Sequence, residues 1–87
     1  MNWRYYFTDA IIQRGESYYK KGKVTDFRKV DCDYFATVMG TLPYNVAIWK
    51  KANGQFGMSC DCMYAYEGNK CKHMAAVFVK IEKEGRE

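Results

Sequence analysis

Cys60-Asp61-Cys62, eight intervening residues, and Cys71-Lys72-His73 decide how this chain is built. Three thiols and the single histidine of the sequence stand in two short arms, C-x-C and C-x-H. Zinc takes four tetrahedral ligands from sulfur and imidazole nitrogen, and a Cys3His set fills all four positions. Two arms across a short loop close that set at small entropic cost. No position is left open, so the pattern predicts one structural Zn2+ held by Cys60, Cys62, Cys71 and His73, and no Lewis-acid chemistry. A metal-bound thiolate is also a poor nucleophile, so the sequence points to a protein that is not an enzyme.

Disulfides are the competing use of four cysteines, which allow three pairings. They leave unexplained why the histidine repeats the spacing of the first arm. The N-terminus, Met1 to Phe7, carries charge and aromatic rings but no apolar run. It reads as neither a signal peptide nor a membrane span. That implies a cytoplasmic chain whose thiols stay reduced and free for metal. Cys32 is left over and is expected to be a small buried or half-buried residue.

The 87 residues suffice for a single domain, 1–87, and a chain this short needs a staple. Hydrophobic residues make up 48% and aromatics 17%, which suits a packed core rather than disorder. The formal charge is +4, and three thiolates with one Zn2+ lower it by one unit. Such mild basicity permits an acidic partner without requiring one.

Outward from the metal arms, the elements follow from periodicity. Thr8-Asp9 starts a helix with a capping side chain and an early acid. Ile11, Ile12, Gly15, Tyr18 and Tyr19 share one stripe of it. Gly22 stops it, just after Lys20-Lys21. Gly15 costs a helix about 1 kcal/mol relative to Ala, so another element should approach closely there. Val24 to about Cys32 and Tyr34 to Thr41 read as strands, and Leu42-Pro43 separates them from a third. That third strand alternates Tyr44, Val46 and Ile48 with Asn45, Ala47 and Trp49. Asn53-Gly54 predicts a hairpin, because both residues tolerate positive φ. Phe56, Met58 and Cys60 alternate after it, so the first metal arm ends a strand. Met63 to Asn69 reads as a loop. Met74, Val77, Phe78 and Ile81 form the stripe of a second helix, with Cys71 and His73 in its first turn. Glu82 to Glu87 should fray. Trp3, Tyr5 and Tyr6 are expected to cover a sheet edge. The fold class is therefore α+β: an N-terminal helix, an antiparallel meander of three to four strands, zinc-binding arms and a C-terminal helix.

C-x-C, a loop and C-x-H also make up the pattern of the SWIM-type zinc finger. The chain resembles the N-terminal SWIM module of bacterial Swi/Snf-family helicase-like DNA-translocating ATPases. The stretches that carry the likeness are Ile12-Gln13-Arg14-Gly15-Glu16-Ser17-Tyr18-Tyr19 with Gly22-Lys23-Val24, and Ala36-Thr37-Val38-Met39-Gly40 with Tyr44-Asn45-Val46. The third is Ser59-Cys60-Asp61-Cys62 through Cys71-Lys72-His73-Met74-Ala75-Ala76-Val77. The resemblance implies the same four ligands and a role in binding DNA or protein. The 87 residues hold no G-x-x-x-x-G-K-[ST] phosphate loop. The chain thus looks like an accessory domain without its ATPase motor, or a stand-alone relative of one, and monomeric in isolation.

Two partner classes remain open: nucleic acid, and a protein such as the motor itself. Lys70 and Lys72 flank Cys71 at a helix start, where backbone N–H groups already favour an anion. Lys50 and Lys51 are further candidate phosphate contacts, and Tyr64 and Tyr66 in the metal loop are candidate stacking residues. The competing reading treats these lysines as ordinary solvated charge and these tyrosines as a roof over the metal.

Overall fold

The computed structural model describes residues 2–86. A 3-10 turn (Trp3–Tyr6) precedes α1 (Asp9–Lys20), β1 (Val24–Val30), β2 (Asp33–Met39), β3 (Pro43–Lys50), β4 (Phe56–Cys60), a single helical turn α2 (Met63–Tyr66) and α3 (Lys72–Lys83). The strands form one antiparallel sheet in the order β1-β2-β3-β4. The α+β class and the predicted element order hold.

α1 begins where its capping chemistry dictates. The Thr8 hydroxyl accepts from the Ile11 amide at 3.3 Å. At its other end Gly22 takes φ 69°. The Lys23 amide reaches the Tyr18 carbonyl at 2.9 Å and the Gly22 amide reaches Tyr19 at 3.0 Å, which together close a Schellman motif. Gly15 does face a close neighbour: a Cβ there would lie 2.8 Å from the Ala75 Cβ and 2.9 Å from the Ala76 nitrogen. α1 and α3 therefore pack almost backbone to backbone.

α3 is the centre of the molecule. Met74, Ala75, Ala76, Val77, Phe78, Val79 and Ile81 are all buried, more than the one stripe the sequence predicts. A helix apolar on all sides is one enclosed on all sides. Here α1 covers one side and the sheet the other. The inward sheet residues Tyr34, Ala36, Val38, Val46 and Ile48 complete the core.

Several expectations are corrected. Cys32 is exposed, because Asp31 and Cys32 form the tight turn between the paired Val30 and Asp33. A turn tip cannot be buried by its own hairpin. The hairpin predicted at Asn53-Gly54 does join β3 and β4, with Gly54 at φ 85°. Asn53 accepts the Gln55 amide at 3.0 Å. The Met63–Asn69 stretch is not all loop, since α2 occupies its first half. The C-terminal charges do not fray over the described residues. Arg4 grips Glu82 with two bonds of 2.7 and 2.8 Å. Trp3 Nε1 donates to Glu82 at 3.1 Å, and Tyr34 donates to the Arg86 carbonyl at 3.1 Å. Glu87 lies outside the described residues. Trp3 is fully buried, stacked on Phe78 at 5.6 Å between ring centroids. Tyr6 does cover a sheet edge: its hydroxyl accepts the Phe56 amide of β4 at 2.8 Å.

Candidate metal centre

Three elements bring the four ligands together. Cys60 is the last residue of β4, Cys62 precedes α2, Cys71 is the N-cap of α3, and His73 lies in the first turn of α3. Their ligand atoms all lie within 4.8 Å of one another, and Cys60 Sγ is 3.8 Å from His73 Nδ1. Tetrahedral zinc with bonds of about 2.0–2.3 Å needs its donors about 3.4–3.8 Å apart, so the residues fit the ion with little movement. Cys62, Cys71 and His73 are buried and Cys60 is half-buried. The four are positioned to hold one zinc ion. When bound, it would supply a structural cross-link between the last strand and the last helix.

The electrostatics of the cluster point the same way. Cys60 donates a hydrogen bond to Cys71, which is the main reason the Cys71 thiol is pulled down to about 4. His73 and the Met74 amide add to it, against the cost of burial. The same bond, with burial, pushes the Cys60 thiol up. Sulfurs this close share protons unless a cation lets all of them ionise. The cluster is thus built for a dication.

Local sequence explains the geometry. The residue between the first two cysteines, Asp61, accepts the Asn45 backbone amide at 2.9 Å and the Asn45 side-chain amide at 3.1 Å. It clamps the first arm to β3. The His73 imidazole is stacked on Tyr44 (4.4 Å, 23°) and meets the edge of Tyr18 (5.4 Å, 70°). Gly40 sits behind it, leaving room for Nε2: a Cβ there would come to 3.4 Å. Sequence reasoning missed Asp61, Tyr44, Tyr18 and Gly40 as supports. Their signal was weak, because each looks like ordinary surface, core or turn until its distant partner is known.

The other candidates are scattered. Lys72 lies over the Tyr18 ring at 5.6 Å, while Lys70 is exposed and lines neither cavity beside Arg14 and Lys72. Lys50 and Lys51 are exposed at the far end of the sheet. Lys50 pairs with Phe56 whereas Val46 pairs with Cys60, which puts Lys50 about 13 Å along the strand from the metal end. Tyr64 lines a cavity of about 250 Å3 beside the metal ligands, together with Arg14 and Lys72. Tyr66 projects into solvent.

No curated protein matches the chain, and no solved structure does. Residues 44–82, which run from Tyr44 to the end of the second metal arm and on through most of α3, match the family model of the SWIM zinc finger. That match, laid over the converged thiols and imidazole, makes this part of the chain similar to a SWIM zinc-binding module.

Proposed function

We propose that this zinc-stapled module binds nucleic acid, as an accessory domain of a helicase-like DNA translocase. The carrying observation is the cavity beside the ligands. Arg14, Lys72 and Tyr64 line it with Cys62, Cys71 and His73. Two cations and an exposed aromatic ring, with no carboxylate among the lining residues, suit a phosphate and a base. The helix stretch Ile12–Tyr19 that resembles the translocase module supplies Arg14. On this reading the module has no catalytic role, sits in the cytoplasm and works as a monomer. Among the described residues no helix is long and apolar enough to cross a membrane.

A second reading, a protein-docking or intramolecular regulatory module, rests on α2. Met63, Tyr64 and Tyr66 there are 72%, 48% and 86% exposed, a concentration of apolar surface that suits a protein partner. The deciding experiment is fluorescence anisotropy of zinc-loaded protein with labelled single-stranded and duplex DNA across a salt series. Binding whose log K falls linearly with log salt supports phosphate contact. An absence of binding at 50 mM salt moves the assignment to the protein-docking reading.

A further inference from the structure

A larger cleft, of about 510 Å3, opens on the other side of Arg14 and Lys72. Four segments build it. α1 contributes Arg14, Ser17 and Tyr18 and its C-cap contributes Lys21; the last three lie three, four and seven residues after Arg14 and so share one helix face with it. The Schellman turn after α1 delivers Lys23, and the β2–β3 turn delivers Met39, Gly40 and Thr41. Lys72 enters from the start of α3.

Four cations line this cleft and no carboxylate does. The neighbouring grooves differ. One along α1 holds Glu16 beside Lys20 and Lys21, and one over the open sheet face holds Asp61 beside Arg28. Ion pairing leaves the charge of the cleft in place. Arg4, Arg28, Lys80 and Arg86 are each paired with a carboxylate. Among the described residues, Arg14, Lys21, Lys23 and Lys72 form no ion pair. Like charges gathered in a cleft raise the local potential and the local concentration of anions.

Arg14 and Lys72 line both this cleft and the smaller cavity at the metal. The two cavities thus adjoin at Arg14 and Lys72, and taken together as a trough they run from Tyr64, past the zinc ligands, to Lys21 and Lys23. Arg14 to Lys21 spans about 10 Å of helix.

We infer that this trough is the phosphate-backbone track of the module, with Arg14, Lys21, Lys23 and Lys72 contacting successive phosphates and Tyr64 at its metal end placed for a base. The inference rests on the nucleic-acid reading above and gives it an address. It moves the interface from Lys50, Lys51 and Lys70 to α1 and the start of α3. Ser17 and Thr41 supply hydroxyls along the path, and the floor is held by the metal centre, since Gly40 and Tyr18 lie against His73.

The test uses the zinc-loaded chain with a labelled 15-nucleotide single strand and its duplex. Three variants are compared: Arg14→Ala, the pair Lys21→Ala with Lys23→Ala, and the pair Lys50→Glu with Lys51→Glu. Zinc content and circular dichroism establish that each is folded, and all these positions are exposed. Four contacts should weaken parental binding about 50-fold for the single strand and about 150-fold for the duplex between 50 and 200 mM salt. Each cation removed from the trough should lower the salt slope by about 0.7–0.9, equally for unrelated sequences. The Lys50/Lys51 variant should keep the parental slope. If the parent binds, but the trough variants keep its slope while the Lys50/Lys51 variant loses it, the trough is wrong and the nucleic-acid reading stands. If the parent binds neither probe at 50 mM salt, the nucleic-acid reading fails and the trough fails with it.

Discussion

The imidazole of His73 lies against the ring of Tyr44, 4.4 Å between centroids and 23° between planes. A metal ligand from α3 is thereby oriented by a residue of β3. The Tyr44 hydroxyl is itself held by Thr41 at 3.1 Å. Supports of this kind typically change metal affinity by about 10–100-fold when removed. Tyr44→Ala should lower zinc affinity by about tenfold in a competition titration with a chromophoric chelator. Tyr44→Phe keeps the stack and should stay within about twofold of the parent. Equal loss in both variants would assign the effect to the hydroxyl rather than the ring.

Gly15→Ala offers a contest between two effects. Helix propensity favours Ala by about 0.5–1 kcal/mol. The new Cβ would, however, lie under 3 Å from both the side chain and the backbone of Ala75, where no flexible side-chain end can swing aside. Overpacking of this kind costs about 1–3 kcal/mol. The sterics should win, and the denaturation midpoint should fall. A raised midpoint would show that α1 and α3 can separate freely.

The Glu82 carboxyl is held below the ordinary glutamate range, chiefly by the Arg4 guanidinium and with help from the Trp3 indole. A depressed folded value means that its contribution is complete above the ordinary value of about 4.3. It disappears as pH falls through the folded value. Glu82→Gln should therefore cost about 1 kcal/mol at neutral pH, and that difference should shrink below about pH 4.3. A carbon-detected NMR titration of the Glu82 carboxyl should place its midpoint lower in the parent than in Arg4→Ala. Identical midpoints would count against the Arg4–Glu82 pair.

Zinc should be stoichiometric and coupled to folding. Structural zinc contributes about 10–16 kcal/mol in small finger peptides, which matches or exceeds the whole net stability of a typical domain, about 5–15 kcal/mol. Chelation, or Cys62→Ala, should collapse amide dispersion. Cys32→Ser should retain one zinc per chain in native mass spectrometry, since Cys32 is exposed at a turn and lies outside the cluster. Survival of the native spectrum with no bound metal would overturn the structural role of the ion. Loss of metal in Cys32→Ser, with metal kept in His73→Ala, would reverse the ligand assignment.

Local rules made the ligands and most element bounds readable from the sequence alone. C-x-C and C-x-H name their own partners by spacing, because so few other arrangements use three thiols and one imidazole. The Thr8 cap, the Gly22 stop and the alternation through β3 depend on near neighbours, so a linear reading contains them. Gly15 likewise announced a close contact by its cost to the helix, though not that Ala75 was the other party.

Tertiary structure decided what depends on residues far apart in the chain. Trp3 and Arg4 meet Glu82 across the full length of the domain, so charges that look like a fraying end are in fact tied down. Asp61 reads as a surface acid until Asn45 arrives beside it on the neighbouring strand. Cys32 looks buriable until the tight turn turns it outward. The cationic trough is the plainest case. Arg14, Lys21, Lys23 and Lys72 are unremarkable lysines and arginines in sequence, spread among acids. Only the packing of α1 on α3 brings Lys72 to the other three in a cleft that no carboxylate lines, because charge adds through space and sequence distance carries no electrostatic weight.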